Sequence, residues 1–253
     1  MAQSWAELPS LLVTALLYFC RIGTCLSLMP GFGSARIPAQ IRLFIAFGAT
    51  LALASALGAL GQQEAAALPL MQLVSLTLSE AAIGAAIGLM GRSFLAALEF
   101  LADAASYGIG LSSAGTPIDE DGALPTLVTL STLSASVLIF ALDGHWEILR
   151  GLAQSYKIIP FGSAFNTGEQ LSELVDTLTK ACLLALQICS PFIVYGIFAN
   201  MVFGLLNKMA PQIPVYFISA PFILAGGILL FYFTAFESLQ IFVSGFSAWI
   251  EGG

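Results

Sequence analysis

Charge is the scarcest ingredient of this 253-residue chain. Eight Lys and Arg and fifteen Asp and Glu make up 9% of it, against about 25% in ordinary soluble domains. Histidine occurs once, at His145, which excludes a His-rich metal centre and leaves a Ser-His-Asp triad a single residue to be built on. The four cysteines, Cys20, Cys25, Cys182 and Cys189, all fall in apolar stretches without CxxC or zinc spacing, so they read as small hydrophobes. No P-loop, GxGxxG, HExxH or GxSxG occurs. A formal charge of −7 with no basic run argues against nucleic acid. The residues therefore point to no enzyme, no metal and no cofactor.

What is present is hydrocarbon. Apolar residues are 58% of the chain, more than so few charges can cover in water. Lipid or protein partners must cover the remainder, and the expectation is an all-α, membrane-associated protein. Six apolar runs reach the roughly 20 residues that a membrane-crossing helix needs: 8–29, 41–60, 70–98, 124–142, 178–206 and 215–250. None alternates with period two, as a barrel strand would. Three exceed 25 residues, which implies tilt, a break or an internal hairpin. The first seven residues carry no Lys or Arg, so a cleaved leader is not expected. Loop cations divide four to three (Arg36, Arg42, Arg92 and Lys208 against Arg150, Lys157 and Lys180, the latter mostly in one longer loop), and set no orientation.

The punctuation is informative. MPGFGSARIPAQIR (29–42) predicts a tight hairpin between the first two runs. In SEAAIGAAIGLMGRS (79–93), Ala81, Gly84, Ala85 and Gly88 share one helix face and invite close approach of a second helix, with Gly91 one turn further. Arg21, Glu80 and Glu237 lie inside apolar runs, where an unpaired charge costs several kcal/mol, so all three are expected to face other helices, a polar path or the interface. Two isolated glutamates make a poor proton relay, and structural or assembly roles are favoured. ASYGIGLSSAGTPIDEDGALP (105–125) reads as a loop. Its acidic end, Asp119–Asp121, lacks the ligand pattern of a calcium loop and reads as a solvated turn. Its first part alternates glycine with apolar residues, a backbone tolerated at membrane depth only against protein or a cavity. A small-solute secondary transporter would show paired broken helices in two matching halves, and no such halves are visible.

Four segments, in order along the chain, together resemble the FliR/SctT family of the flagellar and type III secretion export gate. They are LMPGFGSARIPAQIRLFIAFG (28–48), EAAIGAAIGLMG (80–91), DGHWEILRGLAQSYKIIPFG (143–162) and GLLNKMAPQIPVYFISAPFILAGG (204–227). The resemblance implies a FliP-like helical part over 1–175 and a FliQ-like helical hairpin over 176–253, with Lys208, Pro211 and Gln212 at the hairpin tip. It implies assembly with FliP and FliQ into a helical, cone-shaped complex in the bacterial inner membrane at the flagellar basal body, beside an FlhB-type gate protein. Unfolded flagellar substrates would pass through that complex; a virulence injectisome is the alternative machine. The resemblance also implies a plug from residues 106–122, to which Tyr107, Gly108, Ile109, Gly110, Leu111, Gly115, Pro117 and Ile118 would contribute. Glycine would give such a plug freedom, and the apolar side chains would exclude water.

Overall fold

The computed structural model describes residues 2–34, 37–57, 69–111, 126–160, 167–212 and 215–252. All regular structure among them is helical: α1 (Ala2–Leu28), α2 (Ala39–Leu57), α3 (Leu70–Gly108), α4 (Thr126–Ala141), α5 (Gly144–Ile158), α6 (Thr167–Met209) and α7 (Val215–Gly252). The all-α expectation therefore holds.

Among the described residues, three helical stretches are long and apolar enough to cross a membrane, Leu70–Gly108, Gly168–Met209 and Phe217–Ile250, and a fourth if Leu127–Ala141 and Gly144–Ile158, bent by 74° at their break, form one span. The apolar parts described for α1 and α2, Leu12–Leu28 and Ala39–Ala54, are shorter, within helices of 27 and 19 residues. The three overlong runs contain neither a break nor a hairpin. Instead α3 continues for 39 residues, roughly 58 Å at about 1.5 Å per residue. Pro191 lies inside α6 without ending it. The missing proline N–H would strand the carbonyl of Gln187, and the Ser190 hydroxyl donates to that carbonyl at 3.0 Å instead.

The stretch expected as a longer loop around Arg150 and Lys157 is the amphipathic helix α5, which buries Ile148, Leu152, Ser155 and Tyr156 along one stripe. Charged and polar residues interleave with its apolar ones, so it forms no continuous apolar run, although its 3.6-residue period was there to be read.

Contacts divide the chain into two compact units that interleave in sequence. The first comprises Met1–Ser93, Asp143–Thr177 and Trp249–Gly253; the second comprises Phe94–Leu142 and Leu178–Ala248. This division by packing differs in kind from the sequence resemblance that separates 1–175 from 176–253. The core of the first unit is built from Leu17, Tyr18, Ile22, Cys25 and Leu26 of α1 with Ile83 and Met90 of α3 and Ile148 and Leu152 of α5. The second buries Phe94, Leu98, Ala102, Ala105 and Ile109, spaced along one face of α3, with Ile139 of α4, Phe192 of α6 and Phe242 and Phe246 of α7.

The expected first hairpin forms within the first unit. Gly31 takes a left-handed φ of 83°, open to glycine without strain, and the Gly33 amide donates to Met29 O at 2.8 Å. Arg42 reaches back from α2 to donate to Ser34 O at 2.8 Å, so one of the two cations expected there braces the turn. Arg36 lies outside the described residues.

Candidate functional site: a charge clamp and a glycine clasp

Two of the three charges that interrupt apolar runs find each other. Arg21 of α1 and Glu80 of α3 are both wholly buried, and Arg21 Nε donates to Glu80 Oε2 at 2.6 Å. Arg21 Nη1 donates to Ile159 O at 3.1 Å, just past the end of α5, and the guanidinium carbon lies 4.2 Å from the centre of the Tyr156 ring. Tyr18 flanks that ring at 5.0 Å. One side chain thus binds three helices through a charge pair, a carbonyl and an aromatic face. Such a set offsets the cost of burying the charges only when its geometry is kept. Glu237 lies on an exposed position of α7, while Phe242 and Phe246 of that helix are buried.

The glycine face of α3 packs as its spacing predicted, and its partner is α1 of the same chain. A Cβ on Gly84 would overlap the Arg21 carbonyl oxygen, and one on Gly88 would sit 2.7 Å from Cys25 O. Gly91 faces the Met29 sulfur, the far part of a flexible side chain. Backbone-to-backbone approach at Gly84 and Gly88 sets the spacing at which Arg21 meets Glu80.

In the second unit the expected loop starts later than residue 105, because α3 continues through Gly108. Gly110 has φ 72°, the Leu111 amide donates to Ser106 O at 3.0 Å, and the Gly110 amide donates to Tyr107 O at 3.2 Å. These are the two bonds of a Schellman cap, with glycine at the left-handed position and an apolar residue after it. Ile109 is buried at 1% exposure against Gly227 of α7, and Gly108 meets Gly196 of α6. Tyr107 is exposed and Leu111 half-buried. Gly115, Pro117 and Ile118, and with them the acidic cluster, lie outside the described residues.

The antiparallel α6–α7 hairpin closes through Tyr195, whose hydroxyl donates to Ile223 O at 2.9 Å over the bare backbone of Gly226. Phe192 packs on Phe231. Lys208, Pro211 and Gln212 are exposed where α6 ends and the chain turns. Sequence reasoning missed Tyr156, Gly196, Asn200 and Gly227. Glycines inside apolar helices were a usable signal for two of them; nothing local marked the others.

The sequence matches the family described as bacterial export proteins, family 1, over residues 12–249. It is similar to the flagellar biosynthetic protein FliR of Caulobacter vibrioides, 30% identical over 210 residues covering 82% of each chain. It is similar also to the FliR proteins of Aquifex aeolicus, 26% identical over 87% of this chain and 84% of that one, and of Escherichia coli, 29% identical over 85% and 82%.

Proposed function

The chain belongs to the bacterial export proteins, family 1, and we propose that it is a membrane subunit of the flagellar protein-export gate. In this reading it assembles with FliP and FliQ sister subunits, beside an FlhB-type protein, in the inner membrane at the flagellar basal body. The complex forms a conduit for unfolded flagellar export substrates, and the subunit contributes structure rather than catalysis. The observation that carries the reading is the family match along nearly the whole chain, with relatives named for flagellar biosynthesis. Those names favour the flagellum over a virulence injectisome.

The surface supports a protein that lives among partners. Phe217, Phe222, Tyr232, Phe233 and Phe236 project from α7 at 66% exposure or more, and a chain in water does not leave such a face uncovered. Lipid or sister subunits supply the cover. The cap and the buried Ile109 limit what a plug from 106–122 can consist of: Ile109 is already seated, and Gly110 serves to end a helix. The stopper then comes from residues 112–122, with Tyr107 at its base.

The test is co-expression with candidate FliP and FliQ proteins followed by mass measurement of the intact complex. Recovery of a defined hetero-oligomer containing this chain is expected. A stable complex-free monomer or dimer, with motility retained in a strain lacking the gene, would overturn the reading.

A further inference from the structure

In each long helix of the second unit a serine returns its hydroxyl to its own backbone. Ser106 Oγ of α3 donates to Ala102 O at 2.8 Å, and Ser136 Oγ of α4 to Thr132 O at 2.8 Å. Ser190 Oγ of α6 donates to Gln187 O at 3.0 Å, and Ser244 Oγ of α7 to Ile241 O at 3.1 Å. Such a back-bond satisfies a hydroxyl whose surroundings are hydrocarbon. Ser131 and Ser134 of α4 and Ser238 of α7 make no such bond, nor any other to the described residues. These three, all half-buried, line a single cavity of about 30 Å³ within the second unit. Ser131 and Ser134, three residues apart, share a face of α4, and Ser238 reaches the same space from α7. The rest of its wall is hydrocarbon, including Leu98 of α3, Ile188 of α6 and Phe242 of α7.

The lining selects the occupant. No charged side chain is among the lining residues, so a bare cation or anion would sit there without a countercharge, at a cost of several kcal/mol. An alkyl group would leave three hydroxyls against hydrocarbon. Water needs about 10–15 Å³ per molecule and two to four polar partners, and each serine offers one donor and two acceptor lone pairs. Bulk alone does not call for serine either, because alanine is as small, and Ala235 lines the same cavity. We propose that Ser131, Ser134 and Ser238 form a binding site for water-sized, neutral hydrogen-bonding molecules, held by ordered water in the folded protein and joining α4 to α7. The bound water takes and gives hydrogen bonds on both helices, so the two are linked through exchangeable bonds in place of direct ones.

The site does not depend on the export reading, so the test uses the purified protein with whatever sister subunits it retains in detergent. A cryo-EM map fine enough to show ordered water is expected to place density in the cavity within hydrogen-bond reach of serines from both helices. Val and Thr differ there only by a methyl in place of a hydroxyl, so Ser238→Thr and Ser238→Val are compared by thermal midpoint. The Thr variant is expected to melt about 2–4 °C above the Val variant, because Val strips the water of a partner. The same pair at Ser134 decides the matter if either variant at 238 does not fold. An empty cavity in the map, or one filled by a side chain of a sister subunit or by a lipid tail, would overturn the proposal. So would a Val variant that melts at or above its Thr counterpart, since a dry cavity rewards loss of an unpaired hydroxyl.

Discussion

The two packing units solve the same problem with different chemistry. In the first, the interior carries Arg21 and Glu80, fully buried and bonded across 59 residues of sequence. In the second, two of the buried polar side chains, Ser106 and Thr132, return their hydroxyls to carbonyls of their own helices. Tyr195 and Asn200, at half-covered or open positions, make bonds that reach between its helices. An ion pair away from water tolerates essentially one geometry, because displacement forfeits the attraction while the desolvation cost stays. Glycine and apolar contacts lose their energy gradually, as many small dispersion terms. The first unit therefore holds its arrangement through one charge pair, and the second through many small close contacts.

The sharpest way to break this contrast is to remove one charge. Arg21→Ala or Glu80→Ala is expected to cost about 3–5 kcal/mol, because the partner remains buried and uncompensated. The double variant Arg21→Met, Glu80→Leu should recover most of that loss. Denaturant unfolding of the purified complex measures all three, and equal losses in the single and double variants would refute the clamp. Next come the glycines of the same unit. Gly84→Leu and Gly88→Leu push into backbone carbonyls of α1 that cannot step aside, at about 1–3 kcal/mol or more, and intact complex should not be recovered. Gly91→Ala, which meets only the flexible Met29, should cost less than either. Normal yields with Gly84→Leu and Gly88→Leu would show the seam to be loose.

Within the second unit, Gly196→Ala would press on the backbone of Gly108 and is expected to cost about 1–3 kcal/mol, below the charge deletions. A loss as large as that from Arg21→Ala would erase the contrast. The smallest effect belongs to the hairpin tip. Lys208→Cys and Gln212→Cys should leave the thermal midpoint unchanged and react with a soluble maleimide in detergent. Protection of both positions in the isolated chain would mean that the tip is packed rather than open.

Much of the architecture was legible because membrane proteins write it in composition. The scarcity of charge announced helices in an apolar setting, and the spacing of Gly84 and Gly88 announced a close helix contact. That Arg21 and Glu80 lie inside was equally readable, since both interrupt apolar runs. Their pairing was not, because the apolar runs carry no distance information between α1 and α3. Residues 107–111 misled. Their Gly-Ile-Gly-Leu pattern is the mark of a helix end as much as of a flexible loop, and the bonds to Ser106 O and Tyr107 O decide between the two.

Helical class, apolar exterior and family thus follow from residue types and their order, because each depends on local period, on hydropathy and on motifs that survive without coordinates. The clamp and the clasp depend on which helices become neighbours. Arg21 can choose Glu80 only after Gly84 has let α1 and α3 close up, and Gly108 can lean on Gly196 only once α6 has arrived beside α3. Both are settled by the packing of segments distant in the chain, where the energy of a contact exists only when every partner is in place.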